Sequence, residues 1–121
     1  MKKLFYLSTC STCKRLMGAW NLPDDVTLVD IKKTMFSSED LAVMRQLAGS
    51  YEALLSKRSQ TFLAQGLKNT IKSDADYGAL LPQDYTFLKR PIFVYDEAIF
   101  IGNSAKTDVA VKEFLSKLSQ K

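Results

Sequence analysis

The first 31 residues constrain the fold more than any other stretch. "KLFYL" (3–7) is short, apolar and aromatic, and reads as a buried strand. From Thr12, "TCKRLMGAWNL" puts Cys13, Leu16, Met17 and Trp20 on one helical face, and Leu22-Pro23 is expected to end that helix. Ser8, Thr9 and Ser11 are its candidate caps. "VTLVDI" (26–31) alternates and is rich in β-formers, so it reads as a second strand. A strand, a helix and a strand in so short a span predict a right-handed crossover between parallel strands.

The middle of the chain is helical in pattern. "SSEDLAVMRQLAG" (37–49) opens on a serine cap with an acidic first turn. Its Leu41, Met44 and Leu47 stripe stops at Gly49. Residues 50–57 and 59–67 read as shorter helices, and 73–88 as a further pair with Pro82 at a helix start. After Arg90-Pro91, "IFVYD" and "AIFIG" form a predicted hairpin turning near Asp96-Glu97. Ser104 then caps a helix expected to pack Val109, Val111, Phe114, Leu115 and Leu118 on a sheet. The order β-α-β, helical block, β-β-α predicts an α/β, thioredoxin-like fold with a four-stranded mixed sheet. The expected organisation is a single domain over 1–121 with a helical insertion at about 37–88.

Composition narrows the function. With 121 residues, one domain can bury a core without a metal or staple. The chain contains no histidine, which removes Ser-His-Asp and Cys-His catalysis and every histidine-bearing metal site. Two cysteines alone do not complete a zinc site, so no metal is expected. The charge of +4 is too mild, and the basic residues too scattered, for a nucleic-acid surface. No apolar run approaches a membrane span, and "MKKLFYL" is too short for a signal peptide, so a cytoplasmic protein is expected.

Both cysteines lie in "LSTCSTCKRL" (7–16), at the predicted junction of strand and helix. A cysteine just before a helix faces backbone N–H groups and the positive end of the helix dipole, which favour its thiolate. Cys10 is therefore the candidate nucleophile, and Cys13, in the first helical turn, the candidate resolving thiol. Lys14 and Arg15 add positive charge nearby. Read the bland way, Cys10 is a small loop residue and Cys13 a core-facing one. The second signal is "LKRPIF" (88–93). A proline before a strand is most simply a trans residue at the strand's first position. Arg90 beside it has a guanidinium suited to an oxyanion or carboxylate, or is simply a solvated charge.

"LSTCSTCKRL", "LLSKRSQTF" and "FLKRPIFV" occur in the order and at about the spacing of the arsenate reductase (ArsC) family, a glutaredoxin/thioredoxin-fold class that includes the Spx-like regulators. The resemblance covers essentially the whole chain. It implies a thioredoxin-like fold with a helical insert and a cis proline at Pro91. It also implies Cys10 as the nucleophile, with Arg90 and Arg58 as oxyanion-steadying arginines; a shift of one residue would select Lys57 for Arg58. With Ser11 and Thr12 from the helix start, the substrate-binding candidates are Ser11, Thr12, Arg58, Arg90 and Pro91.

Two departures stand out. A third family arginine is replaced by Gly102 and Asn103, which weakens the case for arsenate as substrate. Cys13 matches the Spx-like and related redox branches and not the glutathione-resolved reductases. The implied activity is that of an arsenate reductase-like thiol-disulfide oxidoreductase, acting on a small oxyanion or a thiol/disulfide. It would need no bound cofactor, and glutathione, glutaredoxin or thioredoxin would serve as reductant. The alternative implied is an Spx-like redox-sensing regulator that binds the RNA polymerase α-subunit. Gly49-Ser50 lies near the polymerase-facing glycine of that branch, although a glycine there also suits a helix end.

Overall fold

The computed structural model describes residues 1–120, in two compact units: residues 1–34 with 90–120, and residues 35–89. In the first unit, β1 (Lys2–Tyr6), α1 (Ser11–Ala19) and β2 (Thr27–Asp30) form the expected crossover, with β1 and β2 parallel and Tyr6 opposite Asp30. The hairpin of β3 (Ile92–Tyr95) and β4 (Ala98–Ile101) adds antiparallel to β1, giving a mixed sheet in the order β2-β1-β3-β4. Asp96 makes the tight turn at φ 54, a left-handed conformation that aspartate tolerates. Among the described residues no helix is long and apolar enough to cross a membrane.

Strand alternation decides which side chains meet the helices. Leu4 and Phe93 are cross-strand neighbours, and Leu16 and Trp20 of α1 and Val111 of α5 (Ala105–Ser119) bury against them. Each such fully buried large side chain contributes roughly 1.5–3 kcal/mol. Phe100 and Phe114 extend the cluster, their ring centroids 5.2 Å apart.

Trp20 also carries a polar tie. Its indole Nε1–H donates to Asp108 Oδ1 at 2.7 Å, linking the end of α1 to α5. That donor, with Lys112 Nζ, holds the Asp108 carboxyl below its ordinary range. The tie explains two departures from expectation. α1 closes at Ala19, not at Leu22, with Trp20 leaving helical geometry as the C-cap while its ring packs in the core. Val109, expected in the core, is 54% exposed, because Asp108 takes the inward position of that turn and the next residue lies about 100° round the helix.

The second unit contains α2 (Ser38–Ala48), α3 (Gln60–Ala64) and α4 (Asp74–Leu80), joined by short 3-10 turns. α2 keeps its predicted ends: Ser37 and Asp40 form a reciprocal capping box, and Gly49 closes the helix. Residues 50–57 depart from the expected helix. Only Glu52–Leu54 makes a 3-10 turn, after which Leu55 extends into a bridge with Leu88. Ser56 N–H to Phe87 O at 2.7 Å and Lys89 N–H to Leu54 O at 2.8 Å flank that bridge. The 73–88 segment similarly contains α4 followed by two 3-10 turns, the first carrying Pro82.

Asp74 organises this unit. Its carboxylate accepts the Tyr51 and Glu52 backbone N–H groups at 3.1 and 3.0 Å, which hold it below the usual carboxylate range. Tyr51 is fixed further by the Arg45 guanidinium over its ring, 5.7 Å from the centroid. The ring packs so closely on α4 that a Cβ at Gly78 would stand 2.8 Å from its Cδ2 and Cε2 atoms. An ordinary Gly→Ala change inside a helix stabilises by about 0.5–1 kcal/mol. Here the sign reverses: Gly78→Ala destabilises by about 1–3 kcal/mol in denaturant unfolding. In a Tyr51→Ala background the same change becomes neutral or stabilising. A stabilised single variant would refute the close packing.

Candidate active site at the start of the first helix

Between β1 and α1 the chain turns tightly. Ile31 N–H donates to Tyr6 O at 2.9 Å and continues the parallel ladder, and Cys10 N–H donates back to Leu7 O at 3.0 Å. Cys10 is then the N-cap of α1, at φ −94 and ψ 110. The expected hydroxyl caps are not used, and no side chain makes a cap hydrogen bond at this helix start. The Thr12 and Cys13 backbone N–H groups of the first turn favour the ionised form of the Cys10 thiol. Sulfur thus occupies the place where an N-terminal helix end favours an anion.

The two thiols are free and differ sharply in environment: Cys10 is partly exposed, whereas Cys13 is sealed at 0% exposure. Burial alone would raise the Cys10 pKa. The Cys13 N–H, the Cys13 thiol, the Arg90 charge and the Thr12 N–H outweigh burial, and the net direction is down. Burial pushes the Cys13 thiol up to about 11; the Leu7 N–H opposes that rise, while the Cys10 thiolate beside it adds to it. Cys10 is therefore the thiol biased towards its anion, and Cys13, one turn on, the thiol biased towards its protonated form. The cation involved is Arg90. Lys14 and Arg15, expected to help, are exposed, and the field of Arg15 falls on Asp108.

Arg90 and Pro91 are joined by a cis peptide, as the family resemblance implied and against the trans form that the residues alone favoured. Pro91 is buried, and its carbonyl accepts Gly102 N–H at 2.9 Å, extending the hairpin by one rung. Gly102 lies at φ 90, so the position expected to hold a third arginine has a backbone that L side chains rarely adopt. Asn103 is exposed.

Cys10, Ser11, Thr12, Cys13, Arg90 and Pro91 thus belong to one compact unit. Arg58 belongs to the other, where it is exposed, and its neighbour Lys57 is paired with Glu52 at 2.9 Å. Asp30 is a feature that sequence reasoning missed. Its Oδ1 accepts Ser8 N–H and Lys32 N–H, each at 3.2 Å. The available signal was a charged residue near the end of the predicted alternating strand. Among the described residues no group of three metal-ligating side chains stands together.

No family model and no curated protein matches the chain. Solved structures do. An arsenate reductase from Vibrio cholerae superposes with TM-score 0.73 at 17% identity, covering 93% of this chain and 95% of that one. An arsenate reductase (ArsC) related protein from Brucella melitensis gives 0.64 at 19% identity, covering 90% and 92%. A Streptococcus mutans protein described as "a possible arsenate reductase" gives 0.66 at 26% identity, covering 91% and 98%. The chain is therefore ArsC-like, with the thioredoxin-like fold of the arsenate reductase family over almost its whole length.

Proposed function

We propose that the protein is an arsenate reductase-like thiol-disulfide oxidoreductase, with Cys10 as nucleophile and Cys13 as resolving thiol. The observation that supports this reading most is Cys10 at the N-cap of α1, partly exposed and one turn before the buried Cys13, with the Arg90 charge bearing on its thiol. On a disulfide R–S–S–R′, the Cys10 thiolate forms a Cys10–S–R bond and expels R′S⁻. Cys13 then attacks the Cys10 sulfur as its proton passes to the departing RS⁻, closing a Cys10–Cys13 disulfide and releasing RSH. Two electrons pass from the cysteine pair to the substrate, and glutathione, glutaredoxin or thioredoxin returns them. Arg90 stabilises the anion at the site before attack and the negative charge that develops during it. With Gly102 and Asn103 in place of a third cationic side chain, a thiol-disulfide substrate suits the site better than arsenate does.

Single-turnover assays of reduced protein test this directly. A glutathione mixed disulfide is expected to be reduced with loss of two thiols per chain, and Cys13→Ser to stop at a stable adduct on Cys10. Arsenate is expected to turn over more slowly. Absence of turnover with mixed disulfide and arsenate alike, under every small-thiol reductant, removes the reading.

The pH dependence has a definite sign. The Cys10 pKa lies below the ordinary value of 9.0, so alkylation of Cys10 rises with pH through a midpoint lower than that of a free cysteine. Arg90→Gln moves the midpoint up and Arg90→Lys restores most of the shift. A midpoint at the free-cysteine value in the wild-type protein would contradict the assignment.

Cys13 has the opposite sign. Its folded pKa of about 11 exceeds the ordinary 9.0, so its protonated form stabilises the fold fully below 9 and loses that contribution as pH rises towards 11. Reduced wild-type protein is expected to lose melting temperature across that window more steeply than Cys13→Ser. Equal slopes would show that burial does not hold the Cys13 proton.

A further inference from the structure

We propose that Asp30 is a positioning residue for the Cys10 nucleophile: its carboxylate anchors Ser8, and through Ser8 the turn that places the Cys10 sulfur over the start of α1. The inference rests on the reading of Cys10 as the reactive thiol.

The turn of residues 7–10 has few fixed points. Leu7 serves both cysteines, its carbonyl accepting Cys10 N–H at 3.0 Å and its N–H directed to the Cys13 sulfur. Thr9 is exposed. Ser8 is the remaining residue, and its backbone N–H donates to Asp30 Oδ1 at 3.2 Å. Asp30 is itself well placed to hold position. It closes β2 opposite Tyr6, and its Oδ1 turns back to accept Lys32 N–H at 3.2 Å, which fixes the carboxylate against its own loop. The anchor is thus the sheet, reached through one side chain.

Asp30 Oδ2 is buried without a hydrogen-bond partner. A half-satisfied carboxylate at a strand end is costly, and an apolar β-former would avoid the cost. Serine and aspartate at these two positions are thus not required by the packing of the strand.

Electrostatics makes the claim decidable. The groups that bear on Asp30 are Ser8 from the turn and Lys32 N–H and Lys33 from the loop after β2, whereas those that bear on Cys10 are Cys13, Thr12 N–H and Arg90. A carboxylate near a thiolate opposes ionisation by charge alone. If Asp30 acted only as a charge, deleting it would ease ionisation of Cys10. If it acts by positioning, deleting it lets the turn relax, misaligns the α1 N–H groups, and makes ionisation harder.

The experiment measures the alkylation rate of Cys10 against pH in the reduced full-length protein, for wild type, Asp30→Ala and Asp30→Asn. Asp30→Ala is expected to slow alkylation at neutral pH by roughly three- to tenfold, with the profile displaced to higher pH. Asp30→Asn keeps an oxygen for Ser8 N–H without the charge, and is expected to stay close to wild type. An Asp30→Ala profile unmoved or displaced to lower pH overturns the proposal, as does Asp30→Asn matching Asp30→Ala. Should Asp30→Ala fail to fold, Asp30→Glu keeps the charge but moves the carboxylate away from Ser8 N–H. It is expected to move the profile in the same direction by less, and no movement would overturn the proposal. A wild-type profile like that of a free cysteine would instead remove the reading of Cys10 as nucleophile.

Discussion

The structure depends on how the first turn of α1 satisfies its N–H groups. A helix start leaves donors without intrahelical partners, and serine, threonine or aspartate commonly supplies an acceptor. Here three hydroxyl residues surround the start, yet the cap is Cys10. A neutral thiol is a poor acceptor, so these donors are satisfied well only when the sulfur is ionised. Folding of the helix and ionisation of the thiol therefore favour each other. The core holds the arrangement in place: Leu16 and Trp20 fix α1 on the sheet, and the Trp20–Asp108 hydrogen bond ties its far end to α5. The helix cannot slide to relieve the cap, and Cys13, one turn along on the core side, is buried as a result.

The opposite pKa directions of the two thiols follow from a count of donors. Both are raised by burial. Cys10 is then lowered by the Thr12 and Cys13 N–H groups, the Cys13 thiol and the Arg90 charge, whereas Cys13 is lowered by the Leu7 N–H and Arg90 but raised further by Cys10. This asymmetry also orders the proposed reaction. Once Cys10 is bound in a mixed disulfide its charge is gone, and with it both contributions by which Cys10 raises Cys13; the Arg90 attraction remains. The second thiol becomes easier to ionise only after the first has reacted. Premature oxidation is disfavoured without any moving part.

The elements legible in the sequence were those written as long periodic patterns. The strand–helix–strand start, the two ends of α2, the Asp96 turn and the Ser104 cap all follow from local rules, and Ser104 accepts Thr107 N–H as those rules require. What escaped was set by contacts distant in sequence. Trp20 ends α1 early because of a partner 88 residues away, and the same partner turns Val109 outward. Leu55 leaves the helical pattern to meet Leu88. Asp30 reads as one polar position in an alternating strand until the parallel register brings it beside Ser8. Within the candidate site, the cysteines and the Arg-Pro pair were legible because their spacing relative to a strand and a helix carries chemistry. The identity of the helix cap was not, since three better caps lie within three residues of it.

Gly102 bears on what such a site can hold. An arginine there would have to adopt φ near 90, at a cost of about 1–3 kcal/mol, or break the rung from Gly102 N–H to the Pro91 carbonyl. That rung steadies the residue next to Arg90, so replacing the glycine would disturb the cation already acting on the thiolate. At Gly102 the absence of the third family arginine is therefore built into the backbone of the hairpin, whereas Asn103 is an exposed position. Arsenate carries more than one negative charge near neutral pH, and its binding asks for more than one cationic group. A disulfide is neutral until it is attacked, when one unit of charge moves from the attacking to the leaving sulfur. In the proposed reaction, a hairpin that lacks the third family arginine meets that smaller demand more easily than it would the demand of an oxyanion.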